Sequence, residues 1–345
     1  MESRLQSKRP SIRSVARSVR GKLPFVTPAQ LFVREMVIRA RPVGPGPKIV
    51  VKDDTNSTVV DDYWNSHTVH ESHGRFISAK ESAAYLKWRN SKYMMFPEYM
   101  DLYGDHSGDT VLDYGCGPGD DTTGFLLYSK AAKVIAMDVS LRALGYLSRR
   151  LALHHVDFGR VELIRINDAV GKIPLGDSSV DWLHCGGVLH HTTHPQEIIR
   201  EFRRVMKPGA QGRLMLYNRD SVCYHVWVAY AQLIVNKAFR GLTVDQAFTK
   251  STDGPECPVS DAYSPHRVLE MITAAGLEGT FLGGYTSATE VDWFRTYGEA
   301  AKSDERLADE HRQFANELAM SEVGIPMYRG NFAGMGGVYT ISKSA

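Results

Sequence analysis

From Asp109 onward the chain alternates short apolar runs with amphipathic segments. Residues 110–114, 133–139, 161–166, 180–185 and 212–217 are runs of strand length rich in Val, Ile, Leu and Met, as expected of strands buried on both faces. Between them, apolar residues recur at helical spacing: Phe125, Leu126 and Leu127 after a glycine turn, then Leu141, Leu144, Leu147 and Leu151 behind the N-cap residue Ser140. A third helix is predicted through Ile198, Ile199, Phe202 and Val205, opened by Pro195 and stopped at Lys207-Pro208-Gly209. Strand, turn and helix repeated in this way predict an α/β fold, a doubly wound and mostly parallel sheet with helices on both faces.

Outside this frame the pattern loosens. A capped helix is expected over 264–275, ending at Gly276, then a strand over 277–283, a charged helical stretch over 304–320 and a last strand over 336–342. Two long segments, 219–262 and 285–333, therefore interrupt the alternation, and insertions of that length usually serve as lids or binding elements. In the first, Tyr224, Trp227, Tyr230 and Leu233 lie at near-helical spacing, a stripe that reads either as core or as a platform for substrate. Upstream, residues 49–104 read as a helical cap. Ser78-Ala-Lys-Glu81 is a capping-box pattern that opens a helix carrying Tyr85, Leu86, Trp88 and Arg89 as far as Pro97. Pro42-Val-Gly-Pro-Gly-Pro47 can hold neither a helix nor a central strand. It separates a segment of different character, 1–48. The expected organisation is thus a basic N-terminal segment (1–48), a helical cap (49–104) and an α/β domain with two insertions (105–345).

Composition narrows the function classes. Hydrophobic residues make up 43% and charged residues 23% of the 345, ordinary for a folded globular chain. The net charge of +2 gives no global attraction to nucleic acid, and no RNA-binding module is recognisable. The basic residues are unevenly placed: those from Arg4 to Lys48 face only Glu2 and Glu35. That segment reads as a solvated tail, a transit peptide or an arm for an anionic membrane surface. Cys116, Cys185, Cys223 and Cys257 show no paired spacing and read as reduced thiols of a cytoplasmic compartment. No apolar run reaches the roughly 18–20 residues of a membrane span; the nearest, 222–235, is shorter and contains His225 and Gln232.

The chemistry concentrates at Val111-Leu-Asp-Tyr-Gly-Cys-Gly-Pro-Gly119. A strand ends in an acid and turns through three glycines into a helix, so backbone at Gly115 and Gly117 is expected to lie against a ligand, with free helix N–H groups behind it. The spacing is G-x-G-x-G, and Asp120 stands where a dinucleotide fingerprint has its last glycine. A nicotinamide-dependent dehydrogenase is therefore disfavoured. The second strand ends in Asp138, placed to accept from ribose hydroxyls. The structural alternative is a tight turn with a strand-end aspartate.

These stretches resemble the class I S-adenosylmethionine-dependent methyltransferases, in particular the ubiquinone-biosynthesis-type group. In family order they are 111–119, Ala136-Met-Asp-Val-Ser140, Asn167-Asp-Ala169, Ile173-Pro-Leu175, Asp177-Ser-Ser-Val-Asp181, Gly187-Val-Leu-His-His191 and Phe202-Arg-Arg-Val-Met-Lys-Pro-Gly209. Gly209-Ala210 replaces the family's usual Gly-Gly. The resemblance implies a Rossmann-like sheet of about seven strands with an antiparallel last strand, and S-adenosyl-L-methionine as cofactor. By that resemblance Asp113 and Gly115, Cys116, Gly117 and Gly119 hold the methionine part. Asp138 with Val139 takes the ribose, Asp168 with Ala169 the adenine, Gly186 completes the set, and Arg89 pairs with the cofactor carboxylate.

His190 and His191 follow the fourth strand at the edge where ligands bind in such folds. They are the candidate catalytic residues, one of them orienting or deprotonating the acceptor; the alternative is a structural bond to the cofactor loop. With His194 they form H-H-x-x-H, but no Glu-bearing zinc motif accompanies them and no metal is expected. Asp253-Gly-Pro-Glu-Cys-Pro258 resembles methyltransferases encoded with glycan or secondary-metabolite assembly genes. The expected function is O-methylation of a sugar or another polar small-molecule hydroxyl. The alternatives are a lipid or quinone methyltransferase touching a membrane through the basic segment, and a non-catalytic cofactor-binding partner protein.

Overall fold

A computed structural model describes residues 43–52, 57–68, 75–168 and 171–345. Most of the basic segment expected at 1–48, and Ala169, lie outside the described residues. The described chain builds its main sheet from β1 (Ile49–Val51), β2 (Tyr93–Met94), β3 (Thr110–Tyr114), β4 (Lys133–Asp138), β5 (Val161–Arg165), β6 (Val180–Gly186), β7 (Met206–Tyr217), β8 (Glu278–Ser287) and β12 (Gly336–Ser342), in the spatial order β1-β5-β4-β3-β6-β7-β12-β8-β2. Strands β5, β4, β3, β6 and β7 run parallel, and β12 lies antiparallel between β7 and β8. The mostly parallel sheet with an antiparallel last strand is as expected. It has nine strands among the described residues rather than about seven, because β1 and β2 add one short strand to each edge.

The helices follow the apolar periodicity. Helix α1 (Val59–Ser66) and α2 (Ala79–Lys92) form the cap, and a one-turn helix α3 (Phe96–Tyr99) follows β2. Pro97 lies inside α3 at its first turn, so α2 stops five residues before it rather than running up to it. Helices α4 (Asp120–Leu127), α5 (Leu141–Leu153) and α6 (Pro195–Val205) are the crossovers of the parallel frame. They bury Phe125, Leu126, Leu144, Leu147 and Leu151 on one side of the sheet, and Ile198, Ile199, Phe202 and Val205 on the other. The fifth strand begins at Met206 instead of 212 because Met206 already pairs with Val180.

The two interruptions contain most of the remaining elements. Cys223–Val235 winds as a π-helix of 13 residues, followed by α7 (Val244–Thr252). After α8 (Pro265–Ala274) and β8 come α9 (Ala288–Ser303) and α10 (Asp309–Glu317), then a small sheet of β9 (Ala319–Met320), β10 (Pro326–Tyr328) and β11 (Asn331–Phe332). Helix α9 was not visible in the apolar pattern. Its signal is the capping box, in which the Ser287 hydroxyl accepts from Glu290 N–H while the Glu290 carboxylate accepts from Ser287 N–H. Trp227 of the π-helix stacks on Trp293 of α9, centroids 4.4 Å apart and planes 6° from parallel. Tyr224 and Tyr230 are buried, so the aromatic stripe is core between the insertions. No described helix is long and apolar enough to cross a membrane.

The cap meets the frame at Arg150, which also forms a buried ion pair within the frame. Arg150 of α5 donates to Asp120 at 2.5 Å and to Ser82 of α2 at 2.7 Å, while the guanidinium lies over Phe76. Arg150 is 2% and Asp120 7% exposed, and breaking a buried pair by removing one partner is strongly destabilising. Arg150→Ala is expected to lower stability by about 3–5 kcal/mol, measured as a fall in the urea midpoint of the full chain.

Candidate active site

Parallel strands place their carboxyl ends on one edge, and ligands bind there in open α/β sheets. That edge opens on a cavity of about 420 Å³. Arg89, Asp113, Gly115, Cys116, Gly117, Asp138, Val139, Asp168, Gly186, His190 and His191 all line it. Gly119 does not; it caps α4 from a left-handed conformation.

The bend after β3 is held from below by β4. Gly115 N–H and Cys116 N–H both donate to the carbonyl of Met137, at 2.8 and 2.9 Å. Asp138 accepts from Gly117 N–H at 2.7 Å on one oxygen and from Ser140 N–H at 2.8 Å on the other. Burial pushes the Asp138 carboxyl up to about 6 against these bonds. Asp113, which accepts from the Thr122 hydroxyl at 2.5 Å, is likewise pushed up to about 6 by burial. The glycines serve different ends. At Gly115 (φ +75°) a Cβ would sit 2.1 Å from a Val188 methyl, so its bareness serves packing, whereas at Gly117 (φ +51°) a Cβ would meet nothing within 4 Å. Backbone approach to a ligand therefore belongs to Gly117.

Arg89 lines the cavity, but its guanidinium already pairs with Asp121 at 2.5 Å and lies over the Phe96 ring. On the same Asp121 the His184 Nε2 sits 3.0 Å away. The Arg89 charge leads the causes that hold the Asp121 carboxyl far below the ordinary range against its burial. Asp168 is engaged too: Thr192 and Thr193 donate their hydroxyls to its two oxygens at 2.5 and 3.2 Å.

The adjacent histidines have opposite hydrogen bonding. His190, fully buried, accepts at Nδ1 from the Tyr217 N–H at 3.2 Å. Its proton is therefore on Nε2, which has no partner, and burial holds its pKa well below the ordinary value. In this tautomer His190 presents a donor at Nε2. His191 donates Nδ1–H to the carbonyl of Val259 at 2.8 Å, which leaves the Nε2 lone pair free, 3.8 Å from Asp253 Oδ1. His194 does not join them in the cavity lining; it caps α6 without a side-chain bond.

Sequence reasoning missed several lining residues: Val60, Trp64 and Thr68 from the cap, Tyr93 of β2 and Phe96 after it, Thr252, Asp253 and Tyr285 from the insertions, and Met335 just before β12. Asp253 had a weak signal in its Asp-Gly-Pro turn. The others had none, because they reach the cavity only through tertiary packing.

Residues 111–209 match the family model described as a methyltransferase domain. An uncharacterized 37.1 kDa protein of transposon TN4556 from Streptomyces fradiae is 28% identical over 60% of this chain and 52% of its own length. A thiol S-methyltransferase of Rattus norvegicus is 29% identical over 36% of this chain and 50% of its own. A ubiquinone biosynthesis O-methyltransferase of Chromobacterium violaceum is 24% identical over 45% and 65% respectively. The chain thus spans about half to two thirds of the curated relatives it matches. Residues 111–209 are thus similar to methyltransferase domains. An open backbone bend beside a buried, hydrogen-bonded carboxylate fits the nucleoside of S-adenosylmethionine, the cofactor that the resemblance implies.

The two glycines separate experimentally. Gly115→Ala combines a left-handed backbone with a steric clash and is expected to cost about 2–4 kcal/mol. Gly117→Ala meets only the backbone term and is expected to cost about 1–2 kcal/mol. Chemical denaturation of both variants checks the order.

Proposed function

We propose that this chain is an S-adenosylmethionine-dependent methyltransferase that methylates a hydroxyl of a small molecule, a sugar or a comparably polar metabolite. One observation carries the reading: the bend with Asp138 and the pair His191–Asp253 open on the same cavity. When bound, S-adenosylmethionine supplies a methyl group already activated on a sulfonium. The protein's part is alignment, which can contribute roughly 7–11 kcal/mol, more than the ~10²–10⁴-fold of a typical base. Asp138 would take the ribose hydroxyls on the lone pairs left beside its two backbone bonds. Gly117 would let backbone reach the cofactor, and Asp113 would hold the methionine end. His190 would donate from its unpartnered Nε2–H. His191, fixed in its tautomer by Val259, would be the side chain through which the protein acts on the acceptor's proton, with Asp253 and Thr252 beside it.

A second reading, a quinone or other lipid acceptor, is favoured by the apolar walls of Trp64, Tyr93, Phe96, Tyr285 and Met335 and by the likeness to a ubiquinone biosynthesis O-methyltransferase. Incubation with methyl-labelled cofactor and a fractionated cell extract separates the two. Label in polar fractions supports the first, and label in lipid fractions the second. Binding of S-adenosylhomocysteine without transfer to any fraction leaves a non-catalytic binding protein, and no binding overturns the reading altogether.

Two further outcomes are expected. Ribose hydroxyls donate, so ionised Asp138 is the binding form, and its carboxyl sits at about 6. Affinity for S-adenosylhomocysteine, measured by calorimetry, is therefore expected to be level above about pH 7 and to weaken about tenfold per unit below the Asp138 value. Asp138→Asn is expected to bind weakly, with a flatter profile that retains only the Asp113 contribution. His191→Ala is expected to lose about 10²-fold or more in turnover at saturating cofactor. Unchanged turnover in that variant would remove His191 from the mechanism.

A further inference from the structure

We propose that His191, Asp253 and Cys257 form a binding site for a divalent cation, Zn²⁺, beside the cavity that His191 and Asp253 line. One ligand atom from each residue lies within 4.8 Å of the others, and imidazole nitrogen, carboxylate oxygen and cysteine sulfur are the donors zinc takes. A tetrahedral ion with bonds of roughly 2.0–2.3 Å sets its ligands roughly 3.3–3.6 Å apart. His191 Nε2 and Asp253 Oδ1 are already at 3.8 Å, so that pair requires only a small contraction, and the Cys257 sulfur must close from within 4.8 Å.

The surroundings are those of metal ligands. His191 donates Nδ1–H to a backbone carbonyl, the outer-shell bond that fixes a ligating tautomer and turns the other nitrogen's lone pair inward. The Asp253 carboxylate is oriented by the Tyr217 hydroxyl at 3.1 Å and the Ser260 hydroxyl at 2.8 Å. Its backbone carbonyl accepts from the Tyr63 hydroxyl. The turn itself sets the spacing: Gly254 has φ +104°, and Cys257 N–H donates to the Gly254 carbonyl at 3.1 Å. This folds residue 257 back beside residue 253. Asp253 is shielded, its side chain 15% exposed, and among the described residues no lysine or arginine lies within ion-pair distance of it. A shielded carboxylate held by two hydroxyls and no basic partner among the described residues is a suitable ligand for a cation.

Binding would displace the Cys257 thiol proton to solvent and leave thiolate on the ion. His191 and Asp253 line the cavity, so the remaining coordination position opens on it. A hydroxyl or thiol seated there would lose its proton to water more readily. The ion's use rests on the methyl-transfer reading above, through which His191 acts on the acceptor; its binding does not.

The test uses the full chain, purified, equilibrated with Zn²⁺ and dialysed, with metal content read by mass spectrometry and affinity by competition with a chelating dye. About one zinc per chain is expected, with affinity reduced at least tenfold in Cys257→Ser and in Asp253→Asn. With Co²⁺ in place of zinc, a thiolate-to-cobalt absorption band is expected in the native protein and not in Cys257→Ser. Circular dichroism of each variant verifies that it folds. Absence of retained zinc in the native chain overturns the proposal, as does unchanged affinity in folded Cys257→Ser. S-adenosylhomocysteine binding is measured on the same samples. Loss of zinc binding alone overturns the ion, and loss of nucleoside binding alone overturns the methyltransferase reading.

Discussion

The carboxylate of Asp138 is the point on which the site depends. It stands at the end of β4 and holds one backbone N–H on each oxygen, Gly117 from the bend and Ser140 from the start of α5. Two crossovers that are separate in sequence are thereby fixed to each other at the one edge where the parallel strands end. Burying a carboxylate is unfavourable, and bonds from backbone N–H to an ionised oxygen are among the stronger ones. The bend cannot move away from β4 without giving up those bonds, and Val188 closes the space on its other side. An open concavity of backbone is held by two constraints, one electrostatic and one steric.

The parallel frame was legible because each of its strands is buried on both faces and each helix on one, so the apolar pattern changes period where the element changes. Asp138 and the three glycines were legible for the same reason, as interruptions at strand ends. The residues that give the cavity its far wall were not. Trp64, Tyr285 and Met335 look like ordinary core residues until packing brings them to the edge. Strands β1 and β2, three and two residues long, are too short for a period to register. His190 and His191 are identical in type and adjacent, and only a backbone N–H from Tyr217 and a carbonyl from Val259 distinguish them. The bareness of Gly115 was legible, but its reason, contact with Val188 rather than with a ligand, was not.

The two insertions act as one cover although β7 and β8 are joined to them at different points. Trp227 on Trp293 joins the π-helix to α9, and His225 shares a 2.8 Å hydrogen bond with His311 of α10. Glu290 closes the assembly. Its carboxylate accepts from Ser287 at the head of α9 and from the N–H of Met335 in the cavity wall at 2.7 Å. A π-helix offers a wider turn than an α-helix and is more often a single bulge at functional sites. Here it runs for 13 residues and carries its aromatic side chains into the packing between insertions rather than toward the ligand edge.

The shortness of β1 and β2 has a meaning of its own. A sheet of nine strands has two open flanks, and a long unpaired strand at either flank is a template for another chain to join. Here each flank finishes in a stub: three residues beside β5 and two beside β8. A stub offers little backbone of its own for another chain to extend, although beside β8 it covers only Thr286 and Ser287 of a strand of ten residues.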